Sequence, residues 1–93
     1  MPAIIRVEPS GSGRFRVTVT EGAGKSTHTV SLSPEYYQKL TRNQVSQEVF
    51  IERSFQFLLE NEPKESILRE FDLPLIGRYF PEYENEIRRR LAG

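Results

Sequence analysis

The side chains that could carry out chemistry are few in this chain, and they lie far apart in the sequence. The 93 residues include one histidine, His28, and no cysteine. A histidine acts as general acid or base beside a partner base, a nucleophile or a metal shell. Cysteine zinc sites, disulfides and cysteine nucleophiles are excluded, and the carboxylates match no oxygen-ligand motif such as the EF-hand loop. We therefore expect no catalytic, cofactor-binding or metal-binding residues, and a protein that is not an enzyme.

Two short segments suggest phosphate binding but are better explained as structure. The segment EGAGKST, residues 21–27, has a lysine and hydroxyls after glycines. It lacks the G-x-x-x-x-G-K-[ST] spacing and joins two predicted strands, so we interpret it as a hairpin turn. Arginines 88–90 end a predicted helix whose first half holds Glu82, Glu84 and Glu86. This order matches the helix dipole and allows ion pairs four residues apart.

The segment IGRYFPEYE, residues 76–84, places Tyr79, Phe80 and Tyr83 around Pro81. One interpretation makes the three aromatic side chains a docking patch. The other makes Pro81 a hinge between two helices, since proline lacks an N–H and disfavours helical geometry at the residue before it. Buried aromatics at helical spacing usually belong to a core. We favour the hinge, with Phe80 and Tyr83 turned inward.

The first third of the chain reads as strands. RFRVTVT, residues 14–20, alternates with period two, and STHTVSL, residues 26–32, completes a hairpin with it after a short first strand, AIIRVE. Phe15, Val17 and Val19 share one face of the predicted meander. Its other face carries arginine and hydroxyl side chains and is a candidate partner-binding surface: Arg6, Arg16, Thr18, Thr20, Thr27, Thr29 and Ser31.

The remaining two thirds predict helices that cover the apolar face. Ser33 and Ser46 are N-cap residues for two helices. A short helix over residues 63–72 is expected to bury Ile67, Leu68 and Phe71, and a final helix begins at Pro81. The expected fold is a single α+β domain over residues 1–93, with a three-stranded antiparallel meander near residues 3–32. Three to four helices cover one face of this meander near residues 34–92.

Charge and hydropathy limit the classes of partner. Thirteen basic residues balance thirteen acidic ones, so the broad attraction to nucleic acids or membranes is missing. No signal peptide or membrane-spanning run is visible, and we expect the cytoplasm as the compartment. The preferred function is a non-enzymatic protein-interaction or regulatory module that binds itself, as a homodimer, or another protein. An enzyme without a recognisable motif, using tyrosines and glutamates, is the third alternative.

Two resemblances add to this interpretation. The segments PKESIL and IGRYFPEYE, residues 63–68 and 76–84, are similar to a family of small bacterial proteins without an assigned activity. That resemblance implies no site residues. From Thr27 onward, the strand followed by two capped helices resembles a ribbon-helix-helix DNA-binding unit, which is the second functional alternative. The resemblance implies a two-chain ribbon, with these residues at bases or backbone: Thr27, Thr29, Ser31, Ser46 and Gln47.

Overall fold

The computed structural model describes residues 3–92. Its sheet consists of β1 (Ile4–Gly11), β2 (Arg14–Glu21), β3 (Gly24–Ser31) and β4 (Glu70–Asp72). Its helices are α1 (Pro34–Thr41), α2 (Gln47–Asn61), α3 (Ile76–Tyr79) and α4 (Tyr83–Ala92), with 3₁₀ turns at Lys64–Ser66 and Leu73–Leu75. The strand order is β1-β2-β3-β4. The predicted α+β class and the antiparallel meander of the first three strands are confirmed.

The meander follows from the alternation in β2. Phe15, Val17 and Val19 are at most 4% exposed and lie under the helices, while Arg14 and Arg16 are exposed on the other face. A two-residue loop joins β2 to β3, and Gly22 adopts a φ of 57° in it. A positive φ at Gly22 but not at Ala23 suits the type II′ hairpin turn, whose first position glycine adopts without steric cost.

The fourth strand corrects the prediction for residues 63–72. The expected helix is a 3₁₀ turn followed by β4, which pairs with β3 in parallel through Thr29–Glu70, Val30–Phe71 and Ser31–Asp72. The sheet therefore has four strands rather than three, and a strand lies within the part predicted to be helical. Leu68, expected in the core, is 46% exposed. In a helix Leu68 could share a face with Phe71, but residues 67–69 lie between the 3₁₀ turn and β4, and Leu68 faces solvent there.

The two predicted N-caps start α1 and α2. Ser33 Oγ accepts from the Tyr36 N–H at 3.1 Å, and Ser46 Oγ accepts from the Val49 N–H at the same distance. Such caps satisfy backbone donors that have no partner inside the helix. The caps fix where α2 begins, and α2 then packs on β1 and α4 as the central helix of the fold.

Two buried polar groups tie the helices and the sheet together. Ser54 Oγ donates to the Phe50 carbonyl at 2.9 Å and lies 2.6 Å from Tyr83 Oη. Because the serine proton is already used, Tyr83 is the donor to Ser54. His28, 2% exposed, places Nδ1 2.8 Å from the Leu68 carbonyl and Nε2 2.9 Å from Ser26 Oγ. The carbonyl can only accept, so Nδ1 carries a proton, and His28 fastens the chain before β4 to the sheet.

Candidate functional site

The open face of the sheet collects all seven residues of the predicted partner-binding surface. Arg6, Thr18 and Thr27 lie side by side across β1, β2 and β3, and the next row places Arg16 beside Thr29. Their side chains are exposed or half-exposed, in contrast to the buried apolar face beneath. The remaining members occupy neighbouring positions on the same face: Thr20 and Ser31.

The structure adds acidic side chains to this face that the sequence analysis did not assign to it. Glu8 lies opposite Arg16, and their charged groups are 4.0 Å apart. Asp72 of β4 accepts a hydrogen bond from Ser31 Oγ of β3. Glu70, also in β4, lies beside Thr29 of β3. The face therefore carries interleaved charges of both signs. Such a surface lacks the continuous basic patch on which non-specific DNA affinity depends.

β1 forms the longer of the two free edges of the sheet, and the turn between β2 and β3 fixes the direction of its backbone groups. Glu21 and Gly24 flank the two-residue loop and form a hydrogen-bonded pair. Bonded and non-bonded pairs alternate along an antiparallel ladder, so Thr18 and its even-numbered neighbours bond toward β1. Consistent with this alternation, the Thr29 N–H points away from β2 and donates to the Arg69 carbonyl at 2.7 Å.

The same alternation leaves two residues of β1 with outward backbone groups. Ile4, Arg6 and Glu8 are the partners of the even-numbered residues of β2 and bond back to that strand. Ile5 and Val7 therefore direct their N–H and C=O groups to the open side, where residues 3–92 provide no further strand. Both side chains are half-buried at the rim of the core. This row of backbone donors and acceptors is a template for another strand.

Only part of the free edge at β1 can pair with a further strand, because a proline and a bulge follow Glu8. Pro9 has no N–H, and by the same alternation its missing donor lies on the open side, as proline in an edge strand requires. The register then shifts between Pro9 and Gly11, which makes Ser10 a bulge. The part of β1 that can accept a further strand therefore centres on Ile5 and Val7.

The last three residues of β3 have a strand on each side. β2 pairs with the whole of β3, and β4 pairs with Thr29–Ser31 from the other side. The two-chain ribbon implied by the ribbon-helix-helix resemblance would join β3 to its own copy. β4 occupies that edge at Thr29–Ser31, and Thr27, Thr29 and Ser31 lie on the face of a four-stranded sheet.

The aromatic residues of the hinge segment, residues 76–84, differ in how deeply they are buried. Pro81 lies between α3 and α4, and Phe80 has an extended backbone, so the predicted hinge is confirmed. Tyr83 is fully buried, Phe80 is half-buried and Tyr79 is 65% exposed. Tyr83 belongs to the core, so the three side chains do not form one exposed patch. Burial raises the pKa of the Tyr83 phenol, which keeps it protonated as a hydrogen-bond donor.

Of the arginines at 88–90, Arg90 joins α4 to α2. Arg90 binds Glu86 at 3.0 Å in its own helix and Glu60 of α2 at 2.6 Å, and it stacks over the Phe57 ring. Arg89 also pairs with Glu86.

In the described part of the chain, no group of three or more histidine and carboxylate side chains could hold a metal ion.

Comparison with known proteins gives no guide to the function. No family model, curated protein or solved structure matches the chain. Between residues 3 and 92, the helices lack the length and apolar character needed to cross a bilayer. The site geometry is therefore the basis for any functional assignment.

Proposed function

We propose that this protein is a non-enzymatic interaction module that forms a homodimer by pairing β1 with β1 of a second copy. The observation that carries the proposal is the unpaired edge at Ile5 and Val7. Antiparallel addition at this edge would join two four-stranded sheets into one continuous sheet. The open face, with Arg6, Arg16 and its threonines, would then become a surface twice as wide for a regulatory partner protein.

The charges of β1 favour one register for this pairing. A two-fold axis at Val7 places Arg6 opposite Glu8 of the second copy, and Glu8 opposite its Arg6. An axis at Arg6 or at Glu8 would instead oppose like charges, which destabilises a strand pair. The contact is isologous, as expected for a closed dimer. Charge complementarity therefore supports self-pairing centred on Val7.

The backbone groups support the same register. With the axis at Val7, the Val7 N–H groups of the two copies each donate to the Val7 carbonyl opposite. The Ile5 N–H of each copy donates to the Pro9 carbonyl of the other, and the missing Pro9 N–H ends the ladder. The half-buried Ile5 and Val7 side chains would lose further contact with water, which adds a hydrophobic contribution.

The first test changes only the outward backbone donor. Val7→Pro removes an N–H that the chain itself does not use, so we expect a folded monomer by circular dichroism and sedimentation velocity. Wild type should sediment as a dimer. Val7→Thr keeps the N–H and a β-branched side chain, and should remain dimeric. A wild type that stays monomeric at about 100 μM, roughly 5 kcal/mol at most for dimerisation, would contradict self-pairing.

The second test exchanges the charges. Arg6→Glu and Glu8→Arg should each weaken the homodimer about tenfold, since two pairs become repulsive by symmetry. Mixed in equal amounts, they should form a heterodimer with both pairs restored, detected by native mass spectrometry. Arg14→Glu, on the same face but away from the edge, should leave dimerisation unchanged. Random mixing of the two variants would eliminate the Val7-centred register.

A further inference from the structure

A second surface lies at the opposite side of the sheet, where the chain leaves α2 and enters β4. It is a groove of about 420 Å³ with buried Ile67, Phe71 and Ile76 among its lining residues. Leu68 and Tyr79 belong to its lining and are 46% and 65% exposed. Large apolar side chains that remain in water beside a concave apolar surface mark an interaction site. We name the groove with these two side chains the α2–β4 groove.

The charge at the α2–β4 groove breaks the pattern of the other long helices. α1 has Lys39 in its last turn and α4 has Arg89 and Arg90, whereas α2 has no basic residue in its last turn. A helix C-terminus carries partial negative charge, which cations stabilise. Here the C-cap is Glu62, itself a half-exposed carboxylate that lines the groove.

Glu62 also differs from its neighbour Glu60. Arg90 holds Glu60 at 2.6 Å, but none of the ion pairs among residues 3–92 includes Glu62. An acid at the negative end of a helix without a cation is a local conflict, and such conflicts concentrate at functional sites. The groove therefore combines an apolar floor with an uncompensated negative charge on one side.

We propose that the α2–β4 groove binds a segment of a partner protein that presents a large apolar side chain next to a lysine or arginine. The apolar side chain would occupy the groove against Phe71, and its cation would reach Glu62 and the end of α2. Leu68 and Tyr79 extend the apolar surface beyond the concave part, which suits a peptide chain better than a small ligand enclosed in a pocket. This proposal is independent of the β1 dimer.

The test uses three acetylated, amidated hexapeptides on the full chain. They read Gly-Leu-Phe-Ala-X-Gly, where X is lysine, glutamine or glutamate. We expect the lysine peptide to shift the amide signals of Leu68, Tyr79 and Phe80 in a nitrogen–proton correlation spectrum. Its Kd should be about fivefold lower than that of the glutamine peptide, with the glutamate peptide weakest.

Matched variants identify the groups responsible. Glu62→Gln should bring the lysine and glutamine peptides to within about twofold of each other. Glu65→Gln, a change at a neighbouring carboxylate that instead pairs with Lys64 at 2.7 Å, should preserve their difference. Leu68→Ser should abolish binding, whereas Ile4→Ser, at an apolar residue that is 69% exposed at the other edge, should not affect it.

Other outcomes overturn the proposal. Equal Kd values for the three peptides, no binding at about 5 mM, which is roughly 3 kcal/mol, or signals that shift away from the groove would each refute it. Phenethylammonium that binds as tightly as the lysine peptide would identify a small-amine site instead. Repeating the titration with Val7→Pro separates the two proposals, because peptide binding should be the same whether or not the protein dimerises.

Discussion

The two edges of the sheet are held in different ways. β1 extends over Ile4–Gly11, and a local hairpin joins it to β2, but its inward side chains Ile5 and Val7 are only half-buried. β4 extends over Glu70–Asp72 alone, yet Phe71 is 9% exposed and the chain just before it is bonded to His28. Backbone pairing thus holds the long edge and leaves it able to accept a strand. Buried side chains hold the short edge.

The largest expected difference between the edges is the cost of removing one inward side chain. Phe71→Ala should lower the free energy of unfolding by about 3 kcal/mol, because it deletes a buried ring and leaves a cavity. Val7→Ala should lower it by only about 1 kcal/mol, because the side chain is half-exposed. Urea unfolding of both variants in the Arg6→Glu background, at a protein concentration where sedimentation shows monomers, checks the comparison. Equal costs would mean that β1 is held as firmly as β4.

A smaller effect is expected at the contact that fastens the start of β4. His28→Gln removes ring bonds to the Leu68 carbonyl and Ser26, and should cost about 2 kcal/mol. Thr27→Ala, at an exposed position of the same strand, should stay within about 0.5 kcal/mol of wild type. In His28→Gln, hydrogen exchange at the backbone amides of Glu70–Asp72 should speed up, relative to wild type, more than exchange at the amides of β1 and β2. A uniform loss of protection would show that β4 does not open separately.

The smallest effect concerns an exposed ion pair before β4. The hydrogen bond from Lys64 lowers the pKa of the Glu65 carboxyl. A lowered pKa in the folded state means that the pair contributes to stability at neutral pH. The contribution is lost as the pH falls below the ordinary glutamate pKa of about 4.3. Glu65→Gln should therefore slightly flatten the loss of stability between pH 6 and pH 3, measured by urea unfolding. An unchanged pH profile would show that the pair contributes nothing.

Much of the fold could be predicted because the relevant signals are local. The alternation of Phe15, Val17 and Val19 defined one face of the sheet, and Ser33 and Ser46 defined two helix starts. β4 could not be predicted in this way. Ile67 and Phe71, four residues apart, fit one face of a helix as well as they fit one face of an extended chain. The pairing with Val30 decides between the two conformations, and that contact is distant in sequence.

The candidate surfaces show the same division between local and distant information. Period-two alternation was enough to place Arg6, Arg16 and the threonines on one face. The outward direction of the Val7 N–H required knowledge of which strand is the edge and how the β2–β3 turn is built. The α2–β4 groove depends on Leu68 being exposed, and this residue was predicted to be buried. The absence of a basic residue from the last turn of α2 was visible in the sequence and was the available signal for the groove.

The parallel pairing of β3 with β4 has a consequence for synthesis on the ribosome. Ser31 and Asp72, which meet across these strands, are 41 positions apart, whereas the hairpin contacts of β1, β2 and β3 form between close neighbours in sequence. Local contacts form sooner than distant ones because less chain must be ordered to close them. The three-stranded meander can therefore form before β4 does, and the side of β3 that β4 will pair with stays open until Phe71 has left the ribosome. During that interval β3 is a second open edge, beside β1, at which another nascent chain can pair.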